Sequence, residues 1–410
     1  MIKADAESFL VITVAAVLAA LVVVALPRRA APPVVVLELL LGVAIGPQVL
    51  DMAQSDEFTE FFGNLGLGML FFFAGYEINF GRLRGRPLML AGVGWLLSLA
   101  LAYGVGGALA AAGIVLSLLF TGSAMATTAI GTLIPILRDA GEMSTRFGTF
   151  LLAAGTAGEF GPIVLVTLIL SGHNPLHEAV LLLSFIALAV VLAIISVRAA
   201  AKGWPLVEEA LESSSQPAIR VLMVLMFGLL TVAATLGLDV LLGGFVAGII
   251  TRMALRGREV EALESKLTAV GYGFLIPFFF VTSGIKFDLD SLLSSAGALL
   301  EVPLFLALFL VVRGIPALLL YRSVLAARER VALALFSATQ LPLVVAITTI
   351  ATEQGHMRSS TAAALVGAAI LSTLIFPFVG LALRRRDREQ AGIEDNGEVP
   401  PSTALHPSSA

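Results

Sequence analysis

Apolar runs long enough to cross a bilayer recur from one end of this chain to the other, each closed by a short polar or charged break. A spanning helix needs about 20 predominantly apolar residues, and about thirteen runs qualify. They lie at 8–26, 33–50, 62–78, 88–111, 114–137, 147–171, 178–197, 218–236, 238–255, 268–286, 295–321, 329–352 and 361–383. The eighth and ninth are parted only by Gly237, Leu238 and Asp239. The pattern predicts an all-α polytopic membrane protein. The first run is too long, and too poorly flanked by basic residues, for a cleaved leader, so it reads as a retained helix.

Loop charges test that count. Basic residues gather in alternate loops: Arg28 and Arg29; Arg82, Arg84 and Arg86; Arg138 and Arg146; Arg198, Lys202 and Arg220. The series continues with Arg252, Arg256, Arg258 and Lys266; Arg322, Arg328 and Arg330; then Arg384, Arg385, Arg386 and Arg388. Of the 25 basic residues, only Lys3, Lys286, Arg358 and Arg313 stand elsewhere, and the first three belong to the opposite loops with Asp51, Asp56, Glu57 and Glu60. A miscounted helix would scramble this alternation, and positive loops stay inside. The expected topology therefore has the N-terminus outside and the C-terminus inside. Residues 1–384 form the transmembrane unit, and 385–410, charged and then Pro/Ser-rich, read as a disordered cytoplasmic tail. The triple arginine Arg384–Arg386 reads as a stop-transfer anchor, with lipid headgroup binding as the alternative.

With the seventh run taken as a linker, two sets of six remain that start on opposite sides of the membrane. This is the arrangement of an inverted-topology repeat. The fifth run of each set is interrupted. One holds Gly122-Ser123-Ala124-Met125-Ala126-Thr127-Thr128 with Gly131 and Pro135 following; the other holds Ser337-Ala338-Thr339-Gln340-Leu341-Pro342. Unwound backbone is tolerated at membrane depth only around a polar cavity, so matching breaks in two halves point to a transport site. A hydroxyl bonded back to its own helix, or a proline kink, is the plainer reading of either break alone.

Composition narrows the chemistry. The chain is 58% hydrophobic and 13% charged, where a soluble domain carries about 25% charged residues. It contains no cysteine, which excludes disulfides, thiolate metal sites and a cysteine nucleophile. The histidines His173, His177, His356 and His406 fall in outer loops or the tail and form no buried cluster. Nothing resembles a hydrolase triad or a phosphate-binding loop, so neither an enzyme nor a resident cofactor is expected, nor a nucleic-acid partner.

Two charges lie deep inside apolar runs. Glu159 sits mid-run in Gly155-Thr156-Ala157-Gly158-Glu159-Phe160-Gly161-Pro162. A lone ionised carboxylate there costs at least a few kcal/mol, so the group must be protonated, paired or facing water. One carboxyl that holds either a proton or a dehydrated alkali cation, never both, suffices for exchange of the two. Arg313 is the only deep basic residue and cannot shed its proton. It serves as charge partner, either pairing with Glu159 or bonding the carbonyls of a broken helix. Glu38, Glu77 and Glu301 stand nearer the ends of their runs, and Glu77 suggests an interfacial ion pair with Arg82 or Arg84. The cation's oxygen ligands would come from Glu159 with Ser123, Thr127, Thr128, Thr156, Thr339 and Gln340.

Several motifs, in order along the chain, carry a family resemblance. They are Leu39-Leu40-Leu41-Gly42-Val43-Ala44-Ile45-Gly46-Pro47, the run Gly66–Glu77, Ala126-Thr127-Thr128-Ala129-Ile130, Leu242–Gly248 and Pro277–Asp288. Over residues 8–384 the chain resembles the monovalent cation:proton antiporter-2 family, which includes bacterial Na⁺/H⁺ and K⁺/H⁺ exchangers. The resemblance implies a panel and a core domain, two broken helices that cross, elevator-like alternating access and a homodimer through the panel. It also marks departures. The family's paired Asp-Asp, Asn-Asp or Gln-Asp is here Gly158-Glu159; a lysine used by electrogenic members is Arg313; and Ala338-Thr339-Gln340 replaces a frequent Arg-Gly-Glu. One acid and an arginine that keeps its proton imply an electroneutral exchange of one Na⁺ or K⁺ for one H⁺. No cytoplasmic nucleotide-binding domain is expected. A transporter of an organic solute on a related repeat, a channel-like K⁺ efflux system and a non-transporting membrane sensor or scaffold remain the alternatives.

Overall fold

A computed structural model describes residues 5–27, 32–78, 85–165, 175–201, 216–236, 240–254 and 259–390. Arg28, Arg29, Arg82, Arg84, His173, Lys202, Arg256, Arg258, His406 and the tail beyond 390 lie outside the described residues.

Each of the predicted runs contains helix. The first half comprises α1 (Ala6–Ala25), α2 (Val34–Ile45), α3 (Glu57–Tyr76), α4 (Arg86–Ala111), the pair α5 (Leu118–Met125) and α6 (Ile130–Asp139), and α7 (Arg146–Leu165). The linker is α8 (Pro175–Ala201). The second half comprises α9 (Pro217–Thr235), α10 (Val240–Ala254), α11 (Glu259–Val270) running on into α12 (Ile276–Ile285), and a short α13 (Leu289–Leu293). It is completed by α14 (Ala296–Phe309) with α15 (Ile315–Leu320), the pair α16 (Ala327–Ser337) and α17 (Pro342–Glu353), and α18 (Ser359–Gln390). Among the described residues, nine helical stretches are long and apolar enough to cross a membrane, and the shorter apolar helices include α2 and α10. Helix α18 continues six residues past the expected boundary at 384.

The halves pack as the inverted repeat requires. Helix α2 lies against α12 of the other half, and α3 against α10; α1 and α9 flank them, and α8 adds to α10. Both central crossings are glycine-lined. A methyl group on Gly248 would collide with the Phe72 carbonyl, one on Gly75 with the Phe245 carbonyl, and one on Gly284 with the Leu39 carbonyl. Without a hydrophobic drive between helices in lipid, such close backbone approach supplies the packing. The second layer joins α4 to α5 and α7, α14 to α18, and α16 to α7 and α18.

Two features escape the apolar pattern. Helices α11 and α12 are joined by a π-turn at Gly271–Leu275, and α14 and α15 by another at Leu310–Gly314. A π-turn inserts one residue per turn and re-aims side chains, and it recurs at functional sites. Arg313 stands in the second.

Arg384 differs from the anchor expected of it. Only 7% exposed, it donates from Nε and Nη2 to the two carboxylate oxygens of Glu142 at 3.2 and 3.1 Å, and from Nη1 to Glu329 at 2.6 Å. Its guanidinium also lies 4.4 Å over the Phe147 ring. Buried Glu142 needs a cation more than the headgroups do, so the first of the three arginines turns inward.

Candidate functional site

The two broken runs meet at their breaks. Helix α5 stops at Met125 and α6 starts at Ile130; α16 stops at Ser337 and α17 starts at Pro342. Proline at the first position of α17 lacks the N–H that would have continued α16, which fixes where the chain restarts. The amide of Ala129 donates to the Thr339 carbonyl at 2.8 Å, and the amide of Thr128 to the Gly158 carbonyl of α7 at 3.0 Å. These bonds tie the unwound segments to each other and to α7.

Helix ends leave carbonyls unsatisfied and partly negative. At the crossing, side chains answer both ends. Gln340 Nε2 donates to the Met125 carbonyl at 2.9 Å, capping α5. The Thr128 hydroxyl donates to the Ser337 carbonyl at 2.6 Å, capping α16. The unwound Gln340 backbone is held from α18: its amide donates to Ser372 Oγ at 3.0 Å, and Thr373 Oγ1 donates to its carbonyl at 3.0 Å.

Arg313 completes that end of the site. Buried at 4% exposure, it donates to Thr128 Oγ1 from Nε (3.0 Å) and Nη2 (2.8 Å). It also reaches Ser98 Oγ at 3.1 Å and the carbonyls of Ala154 at 3.2 Å and Ser337 at 3.3 Å. No ion pair with Glu159 occurs among the described residues. The guanidinium is a positive charge laid against the carbonyl end of the broken helix α16 and a mid-helix carbonyl of α7.

Glu159 is 2% exposed and aims at an amide end instead. Its Oε1 would lie 3.9 Å from a Cβ on Gly131, in the first turn of α6, where helix N–H groups favour negative charge. Its Oε2 is buried and has no hydrogen-bond partner among the described residues. Charge is thus sorted across the crossing, Arg313 at the carbonyl end of α16 and Glu159 at the amide end of α6.

A cavity of about 220 Å³ runs between the layers toward this point. Its lining includes Glu77, Ile130, Arg138, Thr156, Arg252 and Glu264. Thr156 is one helical turn from Glu159. Glu77 pairs with Arg138 at 3.7 Å, and the same guanidinium bonds Glu264 at 3.2 Å, so the ion pair expected of Glu77 finds its partner on α6.

Of the residues singled out in the sequence, Thr128, Arg313 and Gln340 join directly in the crossing. Thr339 contributes its carbonyl, while its hydroxyl and that of Thr127 bond back to Leu335 and Ala124 of their own turns. Ser123 faces Tyr103 at 3.2 Å. Ser98, Ser372 and Thr373 were not singled out, because a lone hydroxyl in an apolar run looks like any other. Glu38 is buried in α2, its Oε2 also unpartnered among the described residues.

Two inverted helical halves around a crossed pair of broken helices, with one buried acid and one buried arginine at the crossing, define a multi-pass membrane protein of the ion-exchanger fold. The chain belongs to the sodium/hydrogen exchanger transmembrane family, whose profile matches residues 14–381. Among curated relatives, YjbQ of Bacillus subtilis, which carries the name of a Na⁺/H⁺ antiporter, is 25% identical over 378 residues, covering 87% of this chain and 60% of its own. The Na⁺/H⁺-K⁺ antiporter GerN of Bacillus cereus is 26% identical over 267 residues, 62% of this chain and 65% of that one. This chain thus spans less than two thirds of the length of either. The sodium proton antiporter MjNhaP1 from Methanocaldococcus jannaschii shares the fold, with a TM-score of 0.60 at 18% identity over 95% of this chain and 99% of that one.

Proposed function

We propose that this protein exchanges one monovalent cation, Na⁺ or K⁺, for one proton across the bacterial inner membrane by alternating access, without net charge movement. The N-terminus lies outside and the C-terminus inside, and the layer containing α1–α3 and α9–α12 serves as panel and homodimer surface while the other moves as core. The observation that carries the reading is Glu159, a single buried carboxyl with one oxygen unpartnered among the described residues. Arg313 directs its donors to Thr128, Ser98 and carbonyls, which leaves the carboxylate to its exchanging occupants. Thr156, one turn away on the cavity wall, supplies an oxygen on the approach. A cavity of about 220 Å³ falls below the roughly 300–1,000 Å³ typical of organic-ligand pockets, which favours an ion over an organic solute. The names of the relatives point the same way.

The test is proton flux in proteoliposomes, followed with a pH-sensitive dye on Na⁺ or K⁺ pulses, for wild type and Glu159→Gln. Wild type gives a cation-driven pH change that the variant lacks and that an imposed membrane potential does not alter. No response to any alkali cation in correctly reconstituted wild type would refute exchange, and a potential-driven rate would refute the stoichiometry.

A further inference from the structure

We propose that the stacked rings of Phe160 and Phe245 form the barrier that seals the transport site from the side opposite the arginine-bearing cavity. The proposal rests on the exchange reading above and adds to it which face of the site is closed, and by what. Phe160 follows Glu159 on α7, and Phe245 lies on α10, in the other layer. Their rings stack 4.9 Å apart at 20°, and Phe245 is 2% exposed.

Their position along the membrane axis follows from the two helices. Helix α7 begins at Arg146, on the arginine-bearing side, so Thr156 lies on that side of Glu159 and Phe160 on the other. Helix α10 ends at that same side, with Arg252 over the Tyr76 ring at 5.4 Å. Phe245 stands seven residues back along α10, roughly 10 Å deeper at 1.5 Å per residue. The cavity lining stops at Ile130 and Thr156. Phe160 follows Thr156 by four residues and so shares its face of α7, which sets the aromatic pair at the deep end of the cavity that opens past Arg138 and Arg252, level with Glu159. An apolar constriction excludes ions by dewetting, and an offset aromatic stack between two layers can separate when the layers slide.

The chain has no cysteine, so introduced thiols report without background. Proteoliposomes are prepared with wild type, Phe160→Ala, Phe245→Ala, the double variant and Phe160→Leu. The leak is read as collapse of an imposed pH gradient in medium free of alkali cations. Either alanine variant collapses the gradient faster than wild type, because a dewetted constriction has been opened. The double variant is no leakier than either single one, and Phe160→Leu, which keeps apolar bulk, stays tight. Alanine variants as tight as wild type overturn the proposal.

Should an alanine variant fail to fold, Thr156→Cys, which keeps both rings, decides. A membrane-impermeant methanethiosulfonate added on the arginine-bearing side labels this cavity-lining thiol, and the same reagent on the opposite side labels it far more slowly. Equal labelling from the two sides overturns the barrier assignment. If wild type exchanges no alkali cation at all, the functional reading fails, while the leak assay still reports on the barrier.

Discussion

Nη2 of Arg313 occupies the space in which a side chain on Gly158 would begin. A Cβ built on Gly158 overlaps that nitrogen and comes within 2.6 Å of Thr128 Oγ1. The residue before the acid is therefore glycine for a local reason: the guanidinium has taken the volume that a neighbouring polar side chain would need. The single acid and the buried arginine are one arrangement rather than two separate departures from the family pattern.

Gly158→Ala tests this first. Arg313 is held by Thr128, Ser98 and two carbonyls and has little freedom to withdraw. Overpacking of this kind costs about 1–3 kcal/mol. The midpoint of thermal unfolding in detergent should fall accordingly, and further for Gly158→Asp. A midpoint equal to wild type would show that the guanidinium gives way freely.

Arg313→Ala and Arg313→Lys separate charge from geometry. Alanine removes the charge opposed to the carbonyl end of α16 and strips Ser98 of its donor. Buried groups left unpaired cost about 1–3 kcal/mol each, so both stability and exchange should be lost. Thr128 still caps the Ser337 carbonyl at 2.6 Å, so the crossing itself should survive. Lysine keeps the charge as a compact ammonium without the planar fork, and retains most of the stability. Because lysine can release a proton, exchange by this variant alone should become sensitive to an imposed membrane potential; a voltage-indifferent lysine variant would contradict the role given to the fixed charge.

The sequence revealed those features that depend on what lipid tolerates. Run length and alternating arginines placed the helices, and hydroxyl, glycine and proline residues within apolar runs marked both breaks. Glu159 and Arg313 stood out because a deep charge is costly anywhere. What stayed hidden depends on which helices touch. Ser98, Ser372 and Thr373 acquire meaning only opposite Arg313 and Gln340, and the π-turn that carries Arg313 leaves no trace in hydropathy. Arg384 was indistinguishable from Arg385 and Arg386 until Glu142 and Glu329 were found beside it.

On the acid-rich side, Asp288 connects Gln48, in the turn after α2, to the start of α13. Partial burial raises its carboxyl, but the Ser291 hydroxyl and amide and the Gln48 side chain more than offset this and hold it below the usual carboxylate value. A carboxyl depressed on folding stabilises the protein above its unfolded pKa of about 3.9, and that contribution fades as pH falls through the lower, folded value. Asp288→Asn should therefore flatten the acid limb of a stability–pH curve below about pH 4 while leaving the neutral region little changed. An acid limb identical to wild type would mean that this clasp does not sense pH.

Arg384 carries the last prediction because two readings of it differ in sign. A headgroup anchor would tolerate exchange for another residue with little effect on folding. The observed side chain holds Glu142 bidentately, with that carboxylate only 2% exposed, and joins the loop before α7 to α18 and to Glu329 near the start of α16. Removing one partner of a buried pair strands the other charge and costs about 3–5 kcal/mol. Arg384→Ala should lower the unfolding midpoint sharply, and Arg385→Ala should not. Arg384→Met combined with Glu142→Gln should recover much of the loss, because the stranded charge is gone and apolar volume is kept. If the double variant is as unstable as Arg384→Ala, the cost lies in packing over the Phe147 ring rather than in the carboxylate left behind.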